Sequence, residues 1–184
     1  MALLTCRLVL LFALTLGVPI GTLAAKRLGG DTSAKEYEVK AAFLFNFLRF
    51  SEWPGDTSSG DFVIGIVGKD PFGSTLDRTL QGKKINGRNV VAKRLGWSSD
   101  LRRVHLLFVP EGEVGRGANE LKALRNAPVL VVGETPNFTS QFGTISFFLA
   151  GSNIRFEISP DAAKRSRITI SSQLLQLAKI TGGA

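Results

Sequence analysis

The chain has 184 residues, with 23 Lys and Arg against 15 Asp and Glu and a formal net charge of +8. One cysteine, Cys6, and one histidine, His105, exclude a disulfide framework and any metal cluster built from several thiolates or imidazoles. The basic residues are scattered, with no run longer than two, so the charge reads as solubility and a bias toward acidic partners rather than as a nucleic-acid footprint.

The first segment is MALLTCRLVLLFALTLGVPIGTLAAKR. One basic residue, Arg7, precedes an apolar run from Leu8 to about Ile20, and small residues follow. That order predicts a secretory signal peptide over residues 1–25, with cleavage near Ala24 or Ala25 and a periplasmic product. The alternative, a retained anchor, wants about 20 apolar residues, and Pro19 and Gly21 break the run. Cys6 falls inside the signal, so the product has no thiol. Its length is 184 − 25 = 159 residues and its charge balance 22 − 15 = +7, which suits one domain over 26–184.

Residues 26–34 read as a flexible lead-in. VKAAFLFNFLRFSEWP (39–54) then predicts a helix from about Ala34 to Arg49, capped by Thr32 or Ser33 and ended by Trp53-Pro54. Ala41, Leu44, Phe47 and Leu48 face a core, in an apolar stretch too short to cross a bilayer. PGDTSSGD (54–61) is turn-rich. FVIGIVG (62–68) predicts a buried strand, and Asp70-Pro71 predicts a helix to about Leu80. Asn86-Gly87 marks a tight turn before a strand at Val90–Leu95.

VHLLFVP (104–110) and PVLVVGE (128–134) predict two more strands, with a helix over 117–126 between them. Strands 144–149 and 153–158 form a hairpin, Ser159-Pro160-Asp161 starts a short helix, and Ser171 or Ser172 starts a last one with Leu174, Leu175, Leu177 and Ala178 inward. The pattern predicts an α/β fold: a mainly parallel sheet of about five to six strands flanked by helices, with an antiparallel C-terminal hairpin at the edge.

Catalytic constellations are not evident. His105 sits in an apolar strand and reads as a residue with a local hydrogen bond, and no GxSxG elbow is present. Gly68-Lys69-Asp70 lacks the Ser or Thr of a phosphate loop, although a small anion at that turn stays open. Arg155 and Glu157 alternate on one strand and read as an ion pair or a partner contact. The expectation is a non-enzyme without cofactor or metal.

Lys40-Ala41-Ala42-Phe43-Leu44-Phe45-Asn46-Phe47, then Phe50 and Trp53-Pro54, resembles the opening helix of the YfiR-like family of exported bacterial proteins. IGIVGKDPFG, KKINGRNVVAKRL, LLFVP, PVLVVGETPNF and GTISFFLAGSNIRFEIS match later family blocks in order, so the resemblance covers about 36–181. It implies a periplasmic regulator that binds the periplasmic domain of an inner-membrane diguanylate cyclase, holds it inactive and lowers cyclic di-GMP, which restrains biofilm formation. It also implies a homodimer and sequestration by an outer-membrane lipoprotein, with a membrane histidine kinase as the alternative enzyme regulated. Redox control through disulfides, found in some members, is closed to a chain without mature cysteines.

Candidate partner-binding residues on this reading are Phe43, Arg49, Phe50 and Trp53 along the opening helix, with Arg155 and Glu157 on the hairpin, since buried interface energy concentrates in aromatic residues and arginine. The second reading is a small-molecule module with a pocket at the strand ends lined by Phe72, Trp97 and Arg155.

Overall fold

The computed structural model describes residues 24–56 and 59–182. The expected signal peptide lies outside the described residues except for Ala24 and Ala25. Helix α1 (Ala24–Arg49) is followed by the short strand β1 (Ser51–Glu52). Then come β2 (Phe62–Val67), α2 (Ser74–Leu80), β3 (Lys84–Ile85), β4 (Arg88–Leu95), β5 (Leu106–Val109), α3 (Ala118–Ala123) and β6 (Leu130–Gly133). The chain closes with α4 (Phe138–Gln141), β7 (Ile145–Ala150), β8 (Asn153–Ile158), α5 (Pro160–Arg165), β9 (Thr169–Ile170), α6 (Ser172–Leu177) and β10 (Lys179–Ile180).

Eight strands form the main sheet in the order β10-β8-β7-β6-β5-β2-β4-β3. The pairs from β4 through β7 are parallel, and β7–β8 is the expected antiparallel hairpin. The hairpin is not quite the edge. Two residues of β10 pair in parallel with Glu157 and Ile158 and leave the outer side of β8 from Asn153 to Phe156 uncovered by any described strand. The strand count exceeds the expected five to six because β3 and β10 are two residues each, too short to show a period.

Helix α1 crosses one face of the sheet and runs opposite to the parallel strands. Ala41, Leu44, Phe47 and Leu48 are fully buried there, as their spacing predicts. Phe47 meets Phe147 and Phe156 at ring distances of 5.5 and 5.0 Å, in the tilted and edge arrangements that aromatic quadrupoles favour. Each such buried side chain contributes about 1.5–3 kcal/mol. The opposite face carries a second core, in which Leu107, Val109, Val129 and Val131 pack against Leu121, Leu124 and Phe138. β2 and β5 are wholly buried because both their faces are covered, hence their unbroken apolar runs.

Several local expectations need correction. The helix does not begin at a cap near Thr32 or Ser33; α1 continues back through the segment read as a lead-in to Ala24, and Tyr37, packed edge-on against Phe72, anchors it. Asp70 does not cap α2. Its Oδ1 accepts from the Phe72 backbone N–H at 2.7 Å, an Asx turn, and the helix starts after Gly73. Leu177 is 68% exposed rather than inward, since α6 ends with it and the chain turns into β10. Asn86 and Gly87 adopt φ of 50° and 80°, the turn their sequence predicts. Ser159 and Ser171 cap their helices as expected.

Candidate functional site

The pairing scheme puts two clusters at opposite ends of the sheet. At the carboxyl ends of the parallel strands, Glu134 follows β6 and Glu111 follows β5, and the middle of α1, from Glu36 to Lys40, lies beside both. Lys40 reaches Glu134 Oε2 and Glu36 Oε1, each at 2.5 Å. The Lys40 and Glu134 side chains are each only 6% exposed, so the pair is cut off from water. Glu134 Oε1 also accepts from the Tyr37 hydroxyl at 3.1 Å and from the Glu111 backbone N–H at 2.9 Å. Burial first, and then the Glu134 carboxylate, push the Tyr37 phenol above its usual range and keep it a donor. The cluster borders a cleft of about 530 Å³ that also takes in Ser146, Phe148, Glu157 and Lys179.

Glu157 does not pair with Arg155. Thr139 in α4 donates to it at 2.7 Å, and Lys179 in β10 approaches it at 3.6 Å. The reason is register: β10 brings Lys179 beside Glu157, whereas Arg155 lies opposite Phe148 and points to solvent.

The amino end of the sheet holds Trp53 and His105. Trp53-Pro54-Gly55-Asp56 is a tight turn closed by Asp56 N–H to Trp53 C=O at 3.0 Å. Pro fits the second position and Gly55, at φ 88°, the third, as a type II turn requires. The indole Nε1 donates to the Pro128 carbonyl at 2.9 Å and meets the His105 ring edge-on at 5.8 Å. His105 Nδ1 accepts from the Val63 backbone N–H at 3.1 Å, the local bond expected of it. Its Nε2 lies 3.4 Å from Asp56 and 3.2 Å from Arg88, which itself pairs with Asp56 at 2.7 Å. Burial, and then the Arg88 charge, hold the imidazole below its ordinary pKa, against the opposing pull of Asp56.

The six candidate residues therefore do not form one patch. Phe43 is half-buried against Phe47, Phe147 and Phe156. Arg49 is exposed, with its guanidinium 5.6 Å from the ring of half-buried Phe50, near the amino end with Trp53. Arg155 and Glu157 lie at the carboxyl end.

The pocket expected from Phe72, Trp97 and Arg155 is not assembled. Phe72 is buried on the α1 face against Tyr37 and Phe108. Trp97 belongs to the core of the opposite face, and Arg155 is on the distant hairpin. The crevice where strand order reverses beside β2 is filled by the chain itself. Glu113 lies over Gly68, so that a Cβ there would stand 2.3 Å from its carboxyl carbon, and it accepts from Trp97 Nε1 at 3.0 Å and Lys69 N–H at 3.4 Å. The indole bond chiefly, with the Lys69 amide and Arg116, holds Glu113 below its usual range despite burial. The small-anion expectation for this turn gives way to an internal carboxylate.

Reading the residues alone missed the Lys40–Glu134 pair, the Glu113 plug and the Trp53–His105 cluster. The only available signal was an acid directly after an apolar strand, at Glu111 and Glu134.

Among the described residues five large apolar side chains are exposed: Val39 in α1, Phe148 and Leu149 in β7 of the hairpin, Leu177 at the end of α6 and Ile180 in the outermost strand β10, with Leu149 at 61%. Leu149 pairs with Ile154 one row beyond Phe147 and Phe156, so the core extends outward into solvent there. Lys179 lies 5.8 Å from the Phe148 ring on the other face. No described helix is long and apolar enough to cross a membrane, and among the described residues no group of three His, Cys, Asp or Glu is placed to hold a metal.

This architecture defines an α/β module of mainly parallel strands, with its conspicuous features at a charged cleft and an apolar sheet margin rather than at a nucleophile. The model of the YfiR/HmsC-like family matches residues 37–179, and the chain belongs to that family. The match begins at Tyr37 and ends at Lys179, so it takes in both clusters apart from Glu36, and four of the five exposed apolar residues. Membership carries the reading of a YfiR-type regulator. A search of curated proteins returned no match.

Proposed function

We propose that the protein is a non-enzymatic periplasmic regulator that acts by binding another protein, the periplasmic domain of an inner-membrane signalling enzyme. A diguanylate cyclase held inactive, with cyclic di-GMP lowered, is the reading that family membership supports best. The observation that carries a protein-binding role is the exposed apolar margin of Val39, Phe148, Leu149, Leu177 and Ile180, rimmed by Arg155 and Lys179. Exposed apolar clusters with a polar rim mark interaction surfaces. The regulator would act by population shift, binding the inactive conformation of its target more tightly than the active one.

The test is cellular cyclic di-GMP in a deletion strain, complemented with the wild type or with Leu149→Asp/Ile180→Asp. A rise on deletion that the wild type reverses, and the folded double variant does not, is expected. An unchanged level on deletion would overturn the cyclase assignment.

The carboxyl-end cleft, with Tyr37, Lys40 and Glu134 at its wall, favours a second reading: a small-molecule module that serves as the sensory partner of a membrane histidine kinase. Homodimerisation and capture by an outer-membrane lipoprotein are compatible with either reading.

A further inference from the structure

The amino-end cleft is rich in arginine. It encloses about 470 Å³, within the size range of small-molecule sites, and Trp53, Arg102, Arg103, His105 and Arg167 are among the residues that line it. Four segments far apart in sequence build it: residues 53–56, residues 102–105, Pro128 and Arg167. Arg102 and Arg103 lie on a single 3-10 turn (Leu101–Arg103), capped by Asp100 Oδ1 accepting from the Arg102 N–H at 3.2 Å. Arg167 follows α5 in a left-handed conformation, φ 56°. It is brought to Trp53 because β9 pairs with β1, Ser51 against Ile170 and Glu52 against Thr169.

Charge in this cleft is unbalanced. Asp56 is the one carboxylate among the described residues of the lining, and Arg88 and His105 already engage it. Arg103 lies 3.8 Å from Asp100 with both side chains largely in solvent, and the Arg102 and Arg167 guanidinium groups make no ion pair among the described residues. The other wall is apolar, from Trp53, Pro54, Val104 and Pro128, with the indole pinned by its bond to Pro128.

We propose that this cleft is an anion-binding site for a phosphate monoester or diester carrying an apolar group. The arginines would take the phosphate oxygens and the apolar group would lie on the indole. Planar guanidinium forks match phosphate geometry, and several of them suit a multiply bonded oxyanion. The source is either a small organic phosphate or the phosphate of a lipid headgroup. The inference stands apart from the partner reading above, since it uses the opposite end of the sheet.

The lone histidine makes the test specific. His105 gives the only imidazole signal in the spectrum of the full chain, and it borders the cleft. Phenyl phosphate is titrated while that signal is followed by NMR, with phenol as the uncharged control. Cosedimentation is measured with phosphatidylcholine vesicles with and without phosphatidylglycerol. The variant is Arg102→Gln/Arg167→Asn: both positions are exposed, and asparagine tolerates the left-handed backbone at 167. Its unchanged backbone spectrum checks the fold.

A saturable shift with phenyl phosphate, weakened roughly tenfold or more in the variant, supports the site with a soluble ligand. Cosedimentation that needs phosphatidylglycerol and is lost in the variant supports it with a lipid source. Phenol acting as well as phenyl phosphate, binding that survives in the variant, or no response in either arm overturns the proposal.

Discussion

Replacing Lys40 by methionine tests the account of the carboxyl-end cluster most directly. Methionine keeps most of the aliphatic stem and removes the ammonium that lies 2.5 Å from both Glu134 and Glu36. Glu36, at 29% exposure, can turn to water. Glu134 cannot, at 6%. It retains the Tyr37 hydroxyl and the Glu111 amide on Oε1 but loses the ammonium on Oε2. Breaking one side of a buried pair costs about 3–5 kcal/mol, and the two surviving donors place the expected loss near the lower end, about 3 kcal/mol.

That is a large part of the roughly 5–15 kcal/mol that a domain has. Lys40→Met/Glu134→Gln removes the stranded charge, while the carboxamide oxygen it introduces still accepts both bonds, so the double variant is expected to recover most of the loss. Urea denaturation measures both, with an unchanged slope confirming that the same surface is exposed on unfolding. A loss under about 1 kcal/mol for Lys40→Met, below the buried-pair range, would refute the claim that this pair is shielded from water. So would a double variant as unstable as the single one.

The neutral imidazole of His105 gives a pH dependence of definite sign. Its folded-state pKa lies below the unfolded value of about 6.5, so its contribution is complete above that pH and is lost as the pH falls through it toward the lower folded value. The urea midpoint is expected to drop between about pH 7.5 and 5.5, and His105→Asn, which keeps an acceptor for the Val63 amide, should flatten that drop; an unaltered slope would contradict the assignment. Gly68→Ala puts a Cβ against the Glu113 carboxyl on a backbone at φ 75°, and a left-handed residue alone costs about 1–2 kcal/mol, so thermal unfolding should show at least that loss. Leu149→Asp on the exposed margin should shift stability by no more than about 0.5 kcal/mol while abolishing pull-down of the membrane partner; retained binding would remove that margin from the interface.

The main elements were legible because they carry strong periodic signals. β2, β5 and β6 read as unbroken apolar runs, and a strand buried on both faces has no reason to alternate. The α1 stripe of Ala41, Leu44, Phe47 and Leu48 announced its buried face in the same way. Asn86-Gly87 and Ser159-Pro160 announced a turn and a helix start through backbone chemistry that acts within a few residues. The family, too, was readable from spaced motifs along 37–179.

What the sequence determined by itself is thus whatever local backbone preference and apolar periodicity dictate: the longer strands, the hairpin, the inner face of α1 and the α/β class. The tertiary structure alone decided the polar pairings. Lys40 finds Glu134 across 94 residues, Glu113 closes over Gly68 after α2, β3, β4 and β5 have intervened, and Glu157 takes Lys179 instead of its strand neighbour Arg155. It also decided that Arg167 stands beside Trp53, through two two-residue strands that no period reveals. Apolar burial is signalled by residue type and spacing within one segment, so most of it can be read locally. A hydrogen bond or an ion pair depends on two positions at once, and which two meet is settled only when the sheet has ordered its strands.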